Sequence, residues 1–243
     1  MSAPLLQIEK VVGGYKPDLP IIHGISLHVD DGEMVTIIGP NGAGTSTLIK
    51  AVAGIVPVSS GRVTLAARDI TNIDTHAMAA VSMAYVPQTA NVFTTLTIHE
   101  NLMVGASSLP KAEAARRIEK GYESFPALRD HRHNKAKVLS GGQRQMLAVA
   151  RALLTEPRLM MLDEPSAGLS PLMVSEVFQR LKALVGTGIA ILMVEQNAKA
   201  ALAISNRTYV LAEGRNRIDG ESQALSRDPE VTSIYLGAGG RKR

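Results

Sequence analysis

The stretch from Met34 to Ser46 constrains this chain more than any other part of it. It opens with Met34–Ile38, a short run rich in β-branched residues, of the kind that suits a strand buried on both faces of a parallel sheet. Gly39-Pro40-Asn41-Gly42-Ala43-Gly44 follows at once, and a helix-like stretch, Thr45–Ala53, ends at Gly54. The order is strand, glycine loop, helix. Glycine reaches backbone angles that other residues avoid, so such a loop folds tightly. Its successive N–H groups then point inward at the positive end of the following helix, a setting suited to an anion.

From Gly39 to Ser46 the spacing is that of a Walker A phosphate loop, G-x-x-x-x-G-K-[ST], with one departure. Thr45 stands where the lysine that reaches the outer phosphates belongs. Ser46 stands where a hydroxyl would hold Mg²⁺, and Thr47 follows. A lysine ammonium makes charge-assisted hydrogen bonds worth ~1.5–3 kcal/mol each. Its loss weakens ATP binding by about 10- to 100-fold. Thr45 offers a hydroxyl without charge, and Lys50, a turn and a half along the helix, is placed too far to substitute. Taken alone, the segment also reads as an ordinary glycine-rich turn.

The rest of the chain alternates strands and helices. Leu5–Val12, Ile25–Val29, Arg62–Leu65, Met83–Val86, Leu159–Leu162, Ile189–Val194 and Tyr209–Ala212 read as strands. Ser140–Leu154, Leu172–Val185 and Asn197–Ile204 read as helices. From about residue 89 to 138 helical spacing dominates, as in Ile98–Gly105 and Lys111–Tyr122, and the stretch reads as an inserted helical subdomain. The class is α/β: a mostly parallel central sheet with an N-terminal antiparallel β layer. All 243 residues are assigned to one such domain.

Composition excludes several classes. Cysteine is absent, so there is no disulfide framework and no thiolate metal cluster, which fits a reducing cytosol. Aromatics are 3% with no Trp, too few for a platform on which nucleic-acid bases stack, and no nucleic-acid partner is expected. The formal charge is only +4, part of it in the tail Arg241-Lys242-Arg243. No apolar run reaches the about 20 residues that span a bilayer. Met1–Lys10 has no apolar signal core. His131 and His133 have no third ligand nearby and carry no metal assignment, and the pair Met160-Met161 reads as core.

Two further segments complete a site. Leu159–Leu162 ends in Asp163 and Glu164, two carboxylates at the C-terminal end of a buried strand, where open α/β sheets place ligands. In that place Asp163 would bind Mg²⁺ and Glu164 would act as general base. Leu139-Ser140-Gly141-Gly142-Gln143 opens a long helix, with a capping serine and two glycines that expose N–H groups. Each segment alone is also a plain strand end or a plain helix cap. Together with the glycine loop, the chain resembles the ATP-binding subunits of ABC transporters, whose signature is LSGGQ.

The resemblance covers nearly the whole chain and implies further roles. It places Tyr15 where an aromatic stacks on adenine, and Gln88 where a glutamine approaches Mg²⁺ and water and couples to the membrane subunit. The ATP-contacting set it implies is Tyr15, Gly39–Thr47, Gln88 and the signature residues Ser140, Gly141, Gly142 and Gln143, with Ser46, Gln88 and Asp163 at the metal. Ser166-Ala167-Gly168-Leu169-Ser170 matches the loop that crosses to a partner ATPase. Val194-Glu195-Gln196-Asn197 carries Gln196 where most such transporters have a catalytic histidine. This form, with Thr97–Leu102 and Asp228-Pro229-Glu230…Tyr235-Leu236-Gly237, resembles the ATPases of branched-chain amino acid uptake. Glutamine still hydrogen-bonds a γ-phosphate but cannot carry a positive charge.

The resemblance implies an ATP- and Mg²⁺-dependent subunit on the cytoplasmic face of the membrane. It works in a homo- or heterodimer of ATPase subunits, each ATP lying between one subunit's phosphate loop and the other's signature. Membrane permease subunits and an external solute-binding protein complete the importer. A second reading follows from Thr45: a hydrolysis-deficient subunit that serves as a regulatory or interaction module. A DNA-repair ATPase of the same family would need a long coiled-coil or zinc-bearing insertion, which the short 89–138 stretch and the absence of cysteine oppose.

Overall fold

A computed structural model describes residues 3–16 and 18–231. The expectations placed on Tyr235-Leu236-Gly237 and on Arg241-Lys242-Arg243 lie outside the described residues.

β1 (Leu6–Gly13) and β2 (Ile22–Val29) pair antiparallel. The inward face of β1 runs through Leu6 and Ile8 and then switches parity to Val11. A register shift between Ile8 and Val11, with Lys10 at φ 49, makes that switch, as a β-bulge does. β3 (Met34–Ile38) is buried at every position. The chain then enters the glycine loop and α1 (Thr45–Val52). β4 (Val58–Leu65) and the short β5 (Arg68–Asp69) complete an antiparallel sheet of order β2-β1-β4-β5.

β6 (Met83–Val86) is followed by α2 (Ile98–Gly105), α3 (Lys111–Ser124), α4 (Pro126–Asp130) and α5 (Gly141–Leu153). Both α2 and α5 open with a reciprocal capping box, Thr97 with Glu100 and Ser140 with Gln143. Then come β7 (Leu159–Asp163), α6 (Pro171–Val185), β8 (Ala190–Glu195), α7 (Ala198–Leu202), β9 (Arg207–Ala212), β10 (Arg215–Glu221) and α8 (Ser222–Leu225). The second sheet has order β10-β9-β3-β8-β7-β6. Every pair in it is parallel except β9 with β10. The expected class, a mostly parallel sheet with an antiparallel layer, is the observed one.

Alternation along the central strands divides the core. Met34 and Ile38 of β3, Met160 and Leu162 of β7, and Ile191 and Met193 of β8 face the side packed by α2, α5 and α6. Val35 and Ile37, Leu159 and Met161, and Ala190 and Leu192 face α1 and the antiparallel sheet. Period-2 side-chain direction requires this split. Met160 and Met161 are both fully buried, one on each face. Among the described residues no helix is long and apolar enough to cross a membrane.

Four elements were not anticipated: β5, α4, α8 and β10. The segment Arg215–Glu221 has almost no apolar residues, and its positions alternate between exposed and half-buried. It is a polar edge strand, held by backbone pairing with β9 rather than by burial.

Candidate nucleotide site

Adjacent parallel strands β3, β8 and β7 end side by side, with Ile38 beside Glu195 and Asp163 beside Val194. The segments leaving these ends form a cleft of about 250 Å³. Of the expected loop residues, Gly39, Pro40, Asn41, Gly42, Gly44, Thr45, Ser46 and Thr47 line it, together with Ile21, Glu164 and Gln196. Ala43 does not line it, and the Ala43 N–H donates to the Pro40 carbonyl at 2.9 Å, closing the turn.

The loop fits a bound anion. Gly42 (φ 85) and Gly44 (φ 91) adopt left-handed angles, and a Cβ on Gly39 would stand 2.7 Å from both Ala43 Cβ and the Leu211 carbonyl oxygen. Gly44 caps α1 without any side-chain hydrogen bond, and the first turn of α1 holds no acidic residue. The leading N–H groups of this helix therefore lack side-chain partners at its positive end.

Behind the loop, Asp163 is almost fully buried. Its Oδ1 accepts from Ser46 Oγ at 3.0 Å and its Oδ2 from the Tyr85 hydroxyl at 3.2 Å. Lys50 Nζ lies 3.6 Å from the same Oδ2. Burial, together with the Asp163 carboxylate beside it, pushes the Tyr85 hydroxyl well above the ordinary phenol range, so it remains a donor. Tyr85 was not singled out by the sequence, and Lys50 was weighed there only as a substitute for the missing loop lysine and set aside. For Lys50 the signal was its spacing of four from Ser46, which places both on one helix face. No sequence signal distinguished Tyr85 from any other strand residue.

Glu164 has left the strand with φ 49, a strained angle for a non-glycine residue, and its N–H donates to the Val194 carbonyl at 3.0 Å. Its Oε2 accepts from Gln88 Nε2 at 2.7 Å and its Oε1 from Gln196 Nε2 at 2.9 Å. Three expected site residues from three distant segments thus meet at one carboxylate. Beside them, buried Glu195 accepts from Ser166 N–H at 2.9 Å and from Ser166 Oγ at 2.7 Å. Burial outweighs these hydrogen bonds and raises the Glu195 carboxyl above its ordinary range. This pair ties the loop after β7 to the end of β8, and sequence reasoning had not proposed it.

Other expected residues lie elsewhere. Tyr15 is 57% exposed and does not line the cleft. Ser140 and Gln143 line a separate cleft, with Phe125, Met173 and Arg180 among its walls, that shares no residue with the first. Gln143 Oε1 accepts from the Ser140 N–H at 2.9 Å. A Cβ on Gly141 would come 2.9 Å from Leu169 Cδ2, and one on Gly142 would come 2.1 Å from Met173 Cε. Here the two glycines permit close packing at the start of α5. Among the described residues no cluster of three or more His, Asp or Glu side chains is placed to hold a metal alone. Ser46 and Asp163 are a partial set, of the kind that Mg²⁺ completes with water and phosphate oxygens.

The profile of the family described as "ABC transporter" matches residues 22–167. The chain is 36% identical over 233 residues to the high-affinity branched-chain amino acid transport ATP-binding protein BraG of Pseudomonas aeruginosa, covering 96% of this chain and 100% of that one. It is 39% identical to the protein named "Probable branched-chain amino acid transport ATP-binding protein LivF" of Archaeoglobus fulgidus, covering 96% and 99%. It is also 34% identical to the lipopolysaccharide export system ATP-binding protein LptB of Acidithiobacillus ferridurans, covering 96% and 97%. Among solved structures, an ATP-binding cassette of an ABC transporter in its ADP conformation superposes with a TM-score of 0.86 at 29% identity, covering 97% and 100%. A glycine loop at the ends of parallel strands, a paired Asp163-Glu164 beside it and relatives alike over nearly their whole length lead to one conclusion: the chain belongs to the ATP-binding, ATP-hydrolysing subunits of ABC transporters.

Proposed function

We propose that this chain is the ATPase subunit of an importer for branched-chain or related small amino acids. The observation that carries the chemistry is the meeting of Glu164 with Gln88 and Gln196 across the cleft from the Gly39–Thr47 loop. In this reading the loop and the start of α1 hold the phosphates of ATP, with Tyr15 on adenine. Glu164 takes the proton of the attacking water, and Gln88 and Gln196 hold its two oxygens in place for that task. Ser46 and Asp163, approached by Gln88, are the residues that would hold Mg²⁺, which supplies positive charge to the phosphates.

Ser140, Gly141, Gly142 and Gln143 lie outside the cleft of their own chain. This supports a head-to-tail pair of ATPase subunits in which the signature completes the partner's site. Residues 89–138 are then a helical arm of one domain that carries the signature, and permease subunits and an external solute-binding protein complete the assembly at the cytoplasmic face of the membrane. The branched-chain amino acid relatives support the substrate class, and the LptB relative is the export alternative.

Thr45 favours a second reading, in which this subunit binds ATP weakly and its partner subunit supplies the turnover. The experiment is ATP hydrolysis by the chain and by Thr45→Lys, each assembled with its permease subunits in liposomes. Stimulation by a binding protein loaded with leucine is expected for the importer. Stimulation by lipopolysaccharide instead would overturn it. Turnover that appears only with Thr45→Lys would select the second reading.

A further inference from the structure

Thr45 removes a cation from the phosphate side of the site, yet α1 brings another to the opposite side. Lys50 follows Ser46 by four residues, so both side chains leave α1 on one face. Both reach the same carboxylate: Ser46 Oγ lies 3.0 Å from Asp163 Oδ1, and Lys50 Nζ lies 3.6 Å from Oδ2. The Asp163 side chain is 2% exposed and that of Lys50 30%. A carboxylate so removed from water needs an opposite charge beside it. The Tyr85 hydroxyl is a neutral donor, and among the described residues Lys50 is the only cation within ion-pair distance of Asp163.

We propose that Lys50 is a positioning residue that neutralises and holds Asp163, so that nucleotide binding depends on Mg²⁺ less steeply than it would without this lysine. The inference rests on the nucleotide reading above and deepens it. Ser46 links the two halves, since it lines the cleft and bonds Asp163. An uncompensated carboxylate there repels an incoming polyphosphate. Either Lys50 or a divalent cation removes that repulsion, and because both act on one carboxylate, each lessens the effect of the other. Such an interdependence is a coupling between two ligands, and it is reciprocal.

The experiment measures the dissociation constant of a non-hydrolysable ATP analogue by titration calorimetry, once in EDTA and once in saturating Mg²⁺. The readout is the ratio of the two constants, because a general loosening of the loop weakens both alike. For Lys50→Gln the ratio is expected to rise by about tenfold, mainly through weaker binding in EDTA. Lys50→Arg, which restores the charge, is expected to keep the parent's ratio. The double variant Lys50→Gln with Asp163→Asn removes the carboxylate together with its partner and avoids a stranded charge. Its affinity in EDTA is expected to return to that of the parent. An unchanged ratio in Lys50→Gln overturns the proposal and leaves the nucleotide reading standing. So does a double variant that binds in EDTA as weakly as Lys50→Gln. Failure of both the parent and Thr45→Lys to bind nucleotide in any buffer overturns the nucleotide reading and this proposal with it.

Discussion

Thr45 lines the cleft at the first residue of α1, and in the proposed reading a lysine there reaches the outer phosphates. Restoring it is predicted to strengthen ATP binding by about 10- to 100-fold, the equivalent of one charge-assisted contact, as titration calorimetry on Thr45→Lys would show. Glu195 carries a prediction of a different kind. Its folded carboxyl titrates above the ordinary value near 4.5, because burial disfavours the charged form more than the Ser166 bonds favour it. The folded state therefore binds a proton more readily than the unfolded chain does. The contribution of this group to stability is fully present below the ordinary value and is lost as pH rises through the folded one. Glu195→Gln keeps an acceptor for Ser166 without the charge. Urea midpoints measured from pH 4 upward should fall less steeply for this variant than for the parent.

At the scale of elements, α1 does two jobs that pull on different residues. In the proposed reading its start leaves its N–H groups to the phosphates, while its inner face holds it against β7 and β8. Leu48 and Ile49 are fully buried in the core on that side of the sheet. Leu48→Ala is predicted to cost ~2–5 kcal/mol, read from urea denaturation, because the strands around the vacancy are too well packed to close it. The strand run and the Ser140 cap were legible: the expected bounds of β3, β6 and α2 are the observed ones, and Ser140 starts its helix as a capping serine does. β10 was not legible, because a polar edge strand owes its existence to a neighbour's backbone groups and has no apolar period of its own.

At the scale of the whole molecule, the loop residues Gly39–Gly42 and Gly44–Thr47 line one cleft, and the signature residues Ser140 and Gln143 line another. In the proposed reading one chain does not close over its own nucleotide with these residues, and a second copy or a related subunit supplies the other half. Glu164→Gln is predicted to slow hydrolysis while leaving the loop in place. Combined with Thr45→Lys it is predicted to give a dimer with Mg-ATP and a monomer without it, on size-exclusion chromatography. A monomer in both conditions would argue against head-to-tail pairing.

The features legible in the amino-acid order are local ones. A β-branched run followed by closely spaced glycines and a helix reads as a strand, a tight loop and a helix start, and Asp163-Glu164 after apolar strand residues marks a sheet end. Such features depend on neighbours in the chain, and so they are written in its order. Which of these residues meet at one carboxylate depends on how the strands and helices are arranged in space. Gln88 and Gln196 meet on Glu164 because β6, β7 and β8 lie in parallel register. Tyr85 and Lys50 meet on Asp163 because α1 packs across β7 and β6 pairs with it. Contacts of this kind arise from strand order and helix placement, which minimise exposed apolar surface over the whole chain, and no short stretch of residues encodes them.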